Sequence, residues 1–577
     1  MKNSKSIPPM TINSMKYLFT AASMMLLALP TVAQNVAQPD TAELKGERVV
    51  VDLDHRPEIM ESEKNDFQPA LLESRPTQSD EFKYETVTKQ VDTQFELRPI
   101  KPARMKGVPL KPLERGYVKG GLGNHLTTLG EVYINNVRSR NRQLGFKGTH
   151  LASRGNVLDK GFSGFSENSA SVFGKKYLKT HLIEGGINYD RNVVHYYDYD
   201  PEVVPAIERT DTRQRYQTIG SHAQLMSFFK DSTMLNYDLH LNYYRINDRF
   251  GATENNVRLN AAFDKYIGKE HYTLDAVVDY NKYSNATGLA ENSIVGATPN
   301  VISKGKRWRL KVGLSVFTEV STVAKFHFYP DAYFKYNVVE EMLIPYLGVT
   351  GGLQRNSFKS FTDENAFMRS DFQLLNSNTK YDLFGGVRGA FSSTTSFNLR
   401  ASSQRIADMP LYVNDETSTF NQFMVIYDTV NVLNLRAEAA YRKGQKLHLL
   451  LRGDYWNYNP DNEFVAWHMP EFKATLIGRY NLKDKIVATA DIFYISGQKA
   501  KSSNPEDGED LSYGVYAKDL KGVVDMNIGL EYRYNKRLSA WLQFNNLGGF
   551  RYNRWNGYPT QRFTALGGIT YSFWGKK

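Results

Sequence analysis

The sequence predicts an all-β protein, a single transmembrane antiparallel β-barrel of about 22 strands behind an extended N-terminal periplasmic segment. Three observations predict it. Aromatic residues make up 13% of 577 positions, with 36 Tyr and 32 Phe, yet mean hydropathy is −0.49. Apolar and polar residues alternate with period two from Gly116 to Phe573. The alternating runs are long enough for a tilted strand to cross a bilayer. A barrel reconciles the polarity with the aromatic content, because only every second residue meets lipid and the others face a wet lumen.

The N-terminus reads as a secretory signal over residues 1–33. Lys2, Lys5 and Lys16 form its basic region, Tyr17 to Leu29 its apolar run, and Thr31-Val32-Ala33 its small residues before a cut at Gln34. The apolar run is too short to span a bilayer. Residues 34–113 are rich in Glu, Asp, Lys and Pro, as expected of an extended periplasmic tether. The barrel is then 114–574, with a tail at 575–577. Cysteine is absent, so there are no disulfides and no lipid-bearing cysteine; the fold must rest on hydrogen bonding and packing. The net charge of +11 and pI near 9.2 do not point to nucleic acid, because the basic residues are scattered through strands and turns.

The alternation is plain at Trp308, Leu310, Val312, Leu314 and Val316, set between Arg309, Lys311, Gly313 and Ser315. It recurs in Leu235–Tyr243 and in Val524–Tyr534. A soluble sandwich also alternates, but with shorter strands. Two kinds of connection follow one another. Tight polar turns stand at 230–232, 268–270, 392–394, 443–445, 483–485 and 535–537, and longer loops near 154–166, 199–213, 359–376 and 502–521. Short turns belong to the periplasmic side, and an even strand number puts both barrel ends there. Counting strands between the connections gives about 22, with bounds of about 18 and 24. Charges on the lumen face, namely Arg309, Lys311, Arg436, Glu438, Arg452, Asp454, Glu531 and Arg533, are the candidates to hold water and select a solute by charge.

The final strand, with Gly567, Ile569, Tyr571 and Phe573 on one face, resembles the C-terminal targeting signal read by the barrel assembly machinery, although Trp574 to Lys577 follow it. The barrel as a whole resembles that of TonB-dependent receptors. Phe95-Glu96-Leu97-Arg98-Pro99-Ile100-Lys101-Pro102-Ala103-Arg104-Met105-Lys106-Gly107, continued by Gly116 to Asn124, is similar to the lead-in of a Bacteroidota barrel family labelled TonB-dependent receptor. The likeness covers about 95–573 and implies an outer-membrane location and a transport role. The pentapeptide Arg48–Asp52 loosely resembles the energy-coupling box of those receptors. Residues 34–113 are too few for that family's plug domain, so coupling to TonB is not carried over.

No Gly-x-Ser-x-Gly elbow and no His-Glu-x-x-His motif occurs, and Gly120 to Gly123 are strand glycines. Asp238 with His240, and His448 with Asp454, read as lumen polar groups; Pro505 to Asp510 reads as a solvated acidic loop; Arg191 to Asp200 reads as interfacial girdle. The expectation is therefore a barrel with no catalytic site, no metal and no cofactor. Two functions fit: a receptor-like barrel binding or passing a solute, or a plugless structural subunit of an outer-membrane complex. The expected partners are outer-membrane lipid, the barrel assembly machinery and a periplasmic or lipoprotein partner.

Overall fold

The computed structural model describes residues 114–574, apart from positions 137, 138, 140, 156, 203–206, 232, 322, 341, 417, 419 and 420. The expected signal, tether, coupling box and tail fall outside the described residues. Twenty-two strands form one antiparallel sheet, each bonded to its neighbours in chain order. The ring closes where the first strand, Glu114–Gly123, pairs with the last, Thr564–Trp574, in a register running from Gly116 opposite Phe573 to Gly123 opposite Leu566. Closure removes both free edges, which a sheet in hydrocarbon requires because no water is there to satisfy them.

The alternation sets the two faces of the wall. Trp308, Leu310, Val312 and Leu314 are exposed on the outside, whereas Arg309, Lys311 and Ser315 turn inward. The C-terminal strand repeats the pattern, with Ile569, Tyr571 and Phe573 all outward. The protein is thus an outer-membrane barrel with an apolar belt facing lipid. One side chain and its facing glycines close the seam compactly. The indole of Trp541 lies over Gly121 and Gly568, where a Cβ would come within 2.4 Å and 2.7 Å of the ring. A Cβ on Gly568 would also stand 2.0 Å from the Gly120 carbonyl oxygen, so only glycine lets the first and last strands approach this closely.

The six tight turns all lie at the end where the chain enters the barrel, which is the periplasmic end. Long loops stand at the other end where expected, and two more, 461–471 and 546–563, join them. Strand lengths are less uniform than their spacing implies. They run from 8 residues in Leu538–Asn545 to 21 in Phe423–Lys443. The longest hairpin, Thr395–Asn414 with Phe423–Lys443, is buried on both faces at its outer half, since its loops pack against it there. Closing the ring brings turns that are distant in the chain side by side at each rim.

Candidate functional site

Segment 355–376 joins the strands Ile344–Gln354 and Ser377–Ser392 at the outer end, and it folds inward across the mouth. Its sequence explains this. Phe358, Phe361, Phe367, Met368 and Phe372 leave it too apolar to stay in water. A short helix, Phe358–Glu364, starts at Ser357, whose hydroxyl accepts from the Ser360 N–H at 3.0 Å. Phe358, Phe361 and Met368 are at most 2% exposed.

The residues that bury this segment come from far apart on the wall. Tyr216 and Tyr283 stand on Arg213–Ser227 and Glu270–Asn285, while Phe423 begins Phe423–Lys443. Tyr216 and Phe423 lie on the sixth and sixteenth strands of a ring of 22, nearly opposite one another. Phe358 packs on Tyr283 with ring centroids 5.4 Å apart, Phe361 on Tyr412 at 6.1 Å, and Tyr412 on Trp555 at 5.0 Å. Phe367 stacks on Tyr558 at 3.8 Å. The result is an aromatic core bridging the outer mouth, built from strands and loops that lie far apart in the sequence.

Polar groups tie the bridge down. The hydroxyls of Tyr196, Tyr216 and Tyr283 donate to the carbonyls of Met368, Ala366 and Ser370 at 3.0, 3.0 and 2.6 Å. The carboxylate of Glu254, fully buried, accepts from the Phe358 N–H at 2.6 Å and from the Tyr244 hydroxyl at 2.6 Å. Arg355 pairs with Asp279 at 2.8 Å, and Arg369 with Asp371 and Asp415 at 2.9 and 2.5 Å. The Ser370 hydroxyl donates to Asp248, whose carboxyl is raised by burial above the usual carboxylate range. Burial likewise raises the phenols of Tyr196, Tyr197 and Tyr558, so they serve as neutral donors.

A second knot joins the surrounding loops at Asn556-Gly557. The Asn421 amide donates to Asp198, which also pairs with Lys160. A Cβ on Gly557, at φ +85°, would fall 1.8 Å from the Asp198 carboxylate, so the loops close only over glycine. His468 lies behind them, buried. Burial lowers its pKa to about 4.

The sequence-derived charges sit on the inner wall and are brought into pairs. Arg436 faces Asp454 across two strands at 2.6 Å, and Arg452 reaches Asp454 at 2.7 Å and Glu438 at 3.7 Å. These four form one network around Asp454, which is 3% exposed. Lys311 pairs with Asp331 at 2.7 Å and Arg533 with Glu531 at 3.2 Å. Arg309 instead stands level with Lys304 and Lys335 in the cross-strand register. Asp238 and His240 meet at 3.1 Å. His448 stands opposite Arg442 and Arg479, whereas Asp454 stands opposite Arg436 and Lys473, so those two do not form a dyad. In the acidic loop, Asp507 pairs with Lys518 and Glu509 with Lys499, at 2.9 and 2.8 Å.

Arg191 to Asp200 is not a lipid-facing girdle throughout. The chain leaves the wall after His195 and turns inward, so Tyr196 is fully buried and Tyr197 packs edge-on against Tyr558 at 5.0 Å. Sequence reasoning missed the bridge itself. Its signal was the run of aromatics in 358–372, which is unusual for a loop in solvent.

No family model matches the sequence, and no curated protein does. Solved structures do match. The pyoverdine outer membrane receptor FpvA of Pseudomonas aeruginosa PAO1 is similar over 80% of this chain and 79% of its own, with a TM-score of 0.61 and 10% identity. The FrpB iron transporter of Neisseria meningitidis gives 80% and 83%, 0.61 and 10%. The siderophore receptor PirA of Acinetobacter baumannii gives 80% and 81%, 0.60 and 9%. At such identities the likeness is one of fold alone, that of a large outer-membrane β-barrel.

Proposed function

We propose that the chain is a receptor-like outer-membrane barrel that binds or passes a solute and is kept shut at its outer end by its own segment 355–376. The observation that carries this reading is the aromatic core bridging the mouth between nearly opposite strands, within a barrel shaped like siderophore and iron receptors. A permanently open pore has no use for such a core. In this reading Arg309, Lys311, Arg436, Glu438, Arg452, Asp454, Glu531 and Arg533 line a wet route of mixed charge. Pairing keeps most of them fixed to the wall, so that they screen a passing solute by local field instead of by net charge. Residues 1–33 would be removed on export and 34–113 would lie in the periplasm. Gly567, Ile569, Tyr571 and Phe573 would be read by the assembly machinery. No enzymatic step is assigned.

The test is conductance of the purified protein in planar bilayers, beside a variant whose residues 356–376 are replaced by a short Gly-Ser linker. Silence from the intact protein and steady current from the variant are expected. Steady current from the intact protein would remove the seal from the proposal.

A second reading is a structural subunit of an envelope complex, without a solute. The observation favouring it is the density of the same core, where Phe358, Met368, Phe423, Tyr196 and Tyr558 are as buried as the centre of a soluble domain. Retention of a stoichiometric periplasmic or lipoprotein partner on gentle purification would favour this reading.

A further inference from the structure

We propose that the periplasmic rim of the barrel is a cationic collar that binds the headgroups of anionic phospholipids in the inner leaflet of the outer membrane. The ten connections at that end are 136–141, 178–180, 228–235, 268–269, 305–307, 337–343, 393–394, 444–446, 483–485 and 534–537. Among the described residues they hold 10 Lys or Arg against 3 Asp or Glu, a difference of +7. The eleven connections at the other end hold 14 Lys or Arg against 20 Asp or Glu, a difference of −6. Among the connections the positive excess therefore lies at one rim, and the other rim has the opposite sign.

Position selects the ligand. Lys306, Arg307, Lys483, Lys485, Lys536 and Arg537 are all exposed. Their turns contain only three or four residues, so a side chain there reaches no further than its own length from the end of the wall. Directly beside them the outward face carries Trp308, Tyr336, Tyr480 and Tyr534, all at least 36% exposed. Tyrosine and tryptophan mark the depth of the headgroups, where their rings are half in hydrocarbon and half wet. Cations at that depth meet lipid phosphates before anything deeper in the periplasm, and an anionic headgroup adds a charge that a zwitterion lacks.

The experiment is electron spin resonance of the full protein in phosphatidylethanolamine vesicles carrying a trace of spin-labelled phosphatidylglycerol or spin-labelled phosphatidylcholine. The expected result is a larger motionally restricted fraction for phosphatidylglycerol, a preference of roughly twofold or more that falls towards unity at 1 M salt. The quadruple variant Lys306→Gln, Arg307→Gln, Lys483→Gln, Lys485→Gln should lose much of it, and heat-modifiable gel mobility verifies that this variant is still a closed barrel. Equal restricted fractions for the two lipids overturn the proposal. So does a preference that the variant leaves intact, because the selectivity then lies elsewhere on the wall. If instead soluble polyglutamate binds the protein through these residues while the lipids are not distinguished, the collar serves an acidic polypeptide and the lipid assignment fails.

Discussion

The backbone N–H of Asn556 points at Nε2 of His468 from 3.3 Å, while Nδ1 of the same ring faces the Tyr412 carbonyl oxygen at 2.9 Å. A carbonyl only accepts, so Nδ1 carries the proton and Nε2 is left to receive the Asn556 N–H. The ring works only when neutral, because protonating Nε2 sets two donors against each other. Its pKa is lowered to about 4 by burial, against an ordinary 6.5. The unfolded loops therefore take up a proton first, and the stability that this ring lends to the loop knot is complete above about pH 6.5 and declines as pH falls towards 4. Once corrected for the intrinsic exchange rate at each pH, amide protection in 461–471 and 546–563 should fall over that interval, while protection in the mid-barrel strands stays constant. Protection in these loops that stays constant between pH 7 and 4 would exclude a stabilising role for neutral His468.

Glu254 is expected to hold the bridge more firmly than any single aromatic contact. Glu254→Gln keeps the size but turns an amide N–H₂ towards donors on Phe358 or Tyr244. A cost of about 2–4 kcal/mol, confined to the bridge, follows from burying groups that lose their acceptor. Trypsin cleavage after Lys359 in the folded protein reads it out, and an unchanged cleavage rate would mean that the capped helix does not depend on this carboxylate.

At the seam, Trp541→Ala uncovers Gly121 and Gly568 and leaves a gap beside the Lys119 side chain, whose Nζ lies 4.6 Å from the ring centroid. The loss should be about 3 kcal/mol, as for other buried large-to-small changes. Gly568→Val should be worse, since the added atoms meet the Gly120 carbonyl. The temperature at which the folded band disappears on detergent gels should fall for both, and further for the second.

Asp454→Asn removes the negative centre between Arg436 and Arg452. In the variant lacking 356–376, this should move the reversal potential in a salt gradient towards anion preference. Adding Arg436→Gln should largely restore the parent value. A shift unaffected by the second change would place the selecting field away from this network.

How much of this could be read in advance depends on whether one strand or several decide the outcome. Trp308 to Val316 declares its own two faces, because period two needs no knowledge of neighbours, and summed over the chain this yields the closed sheet. Whether Arg436 meets Asp454 depends on register, which one strand does not specify, so the charges were legible but their pairing was not. The bridge was harder still. Tyr216, Ile246 and Tyr283 occupy inward positions at the outer ends of their strands, where a wet lumen leads one to expect polar residues. They make sense only beside Phe358 and Phe372, which come from a loop distant in sequence.

The pairing of Gly116 with Phe573 implies something about time as well as space. The two edges that must meet are the first and nearly the last parts of the barrel to leave the ribosome, so a chain interrupted anywhere in between is an open sheet with two bare edges. Such a sheet is a template for other chains, and joining its ends carries the entropy of the longest loop the molecule can make. The slowest step in assembly should accordingly be the final stitch between Glu114–Gly123 and Thr564–Trp574. A protein that guides newly arrived barrels would have most to do at that one junction, holding the early strand until its late partner is delivered.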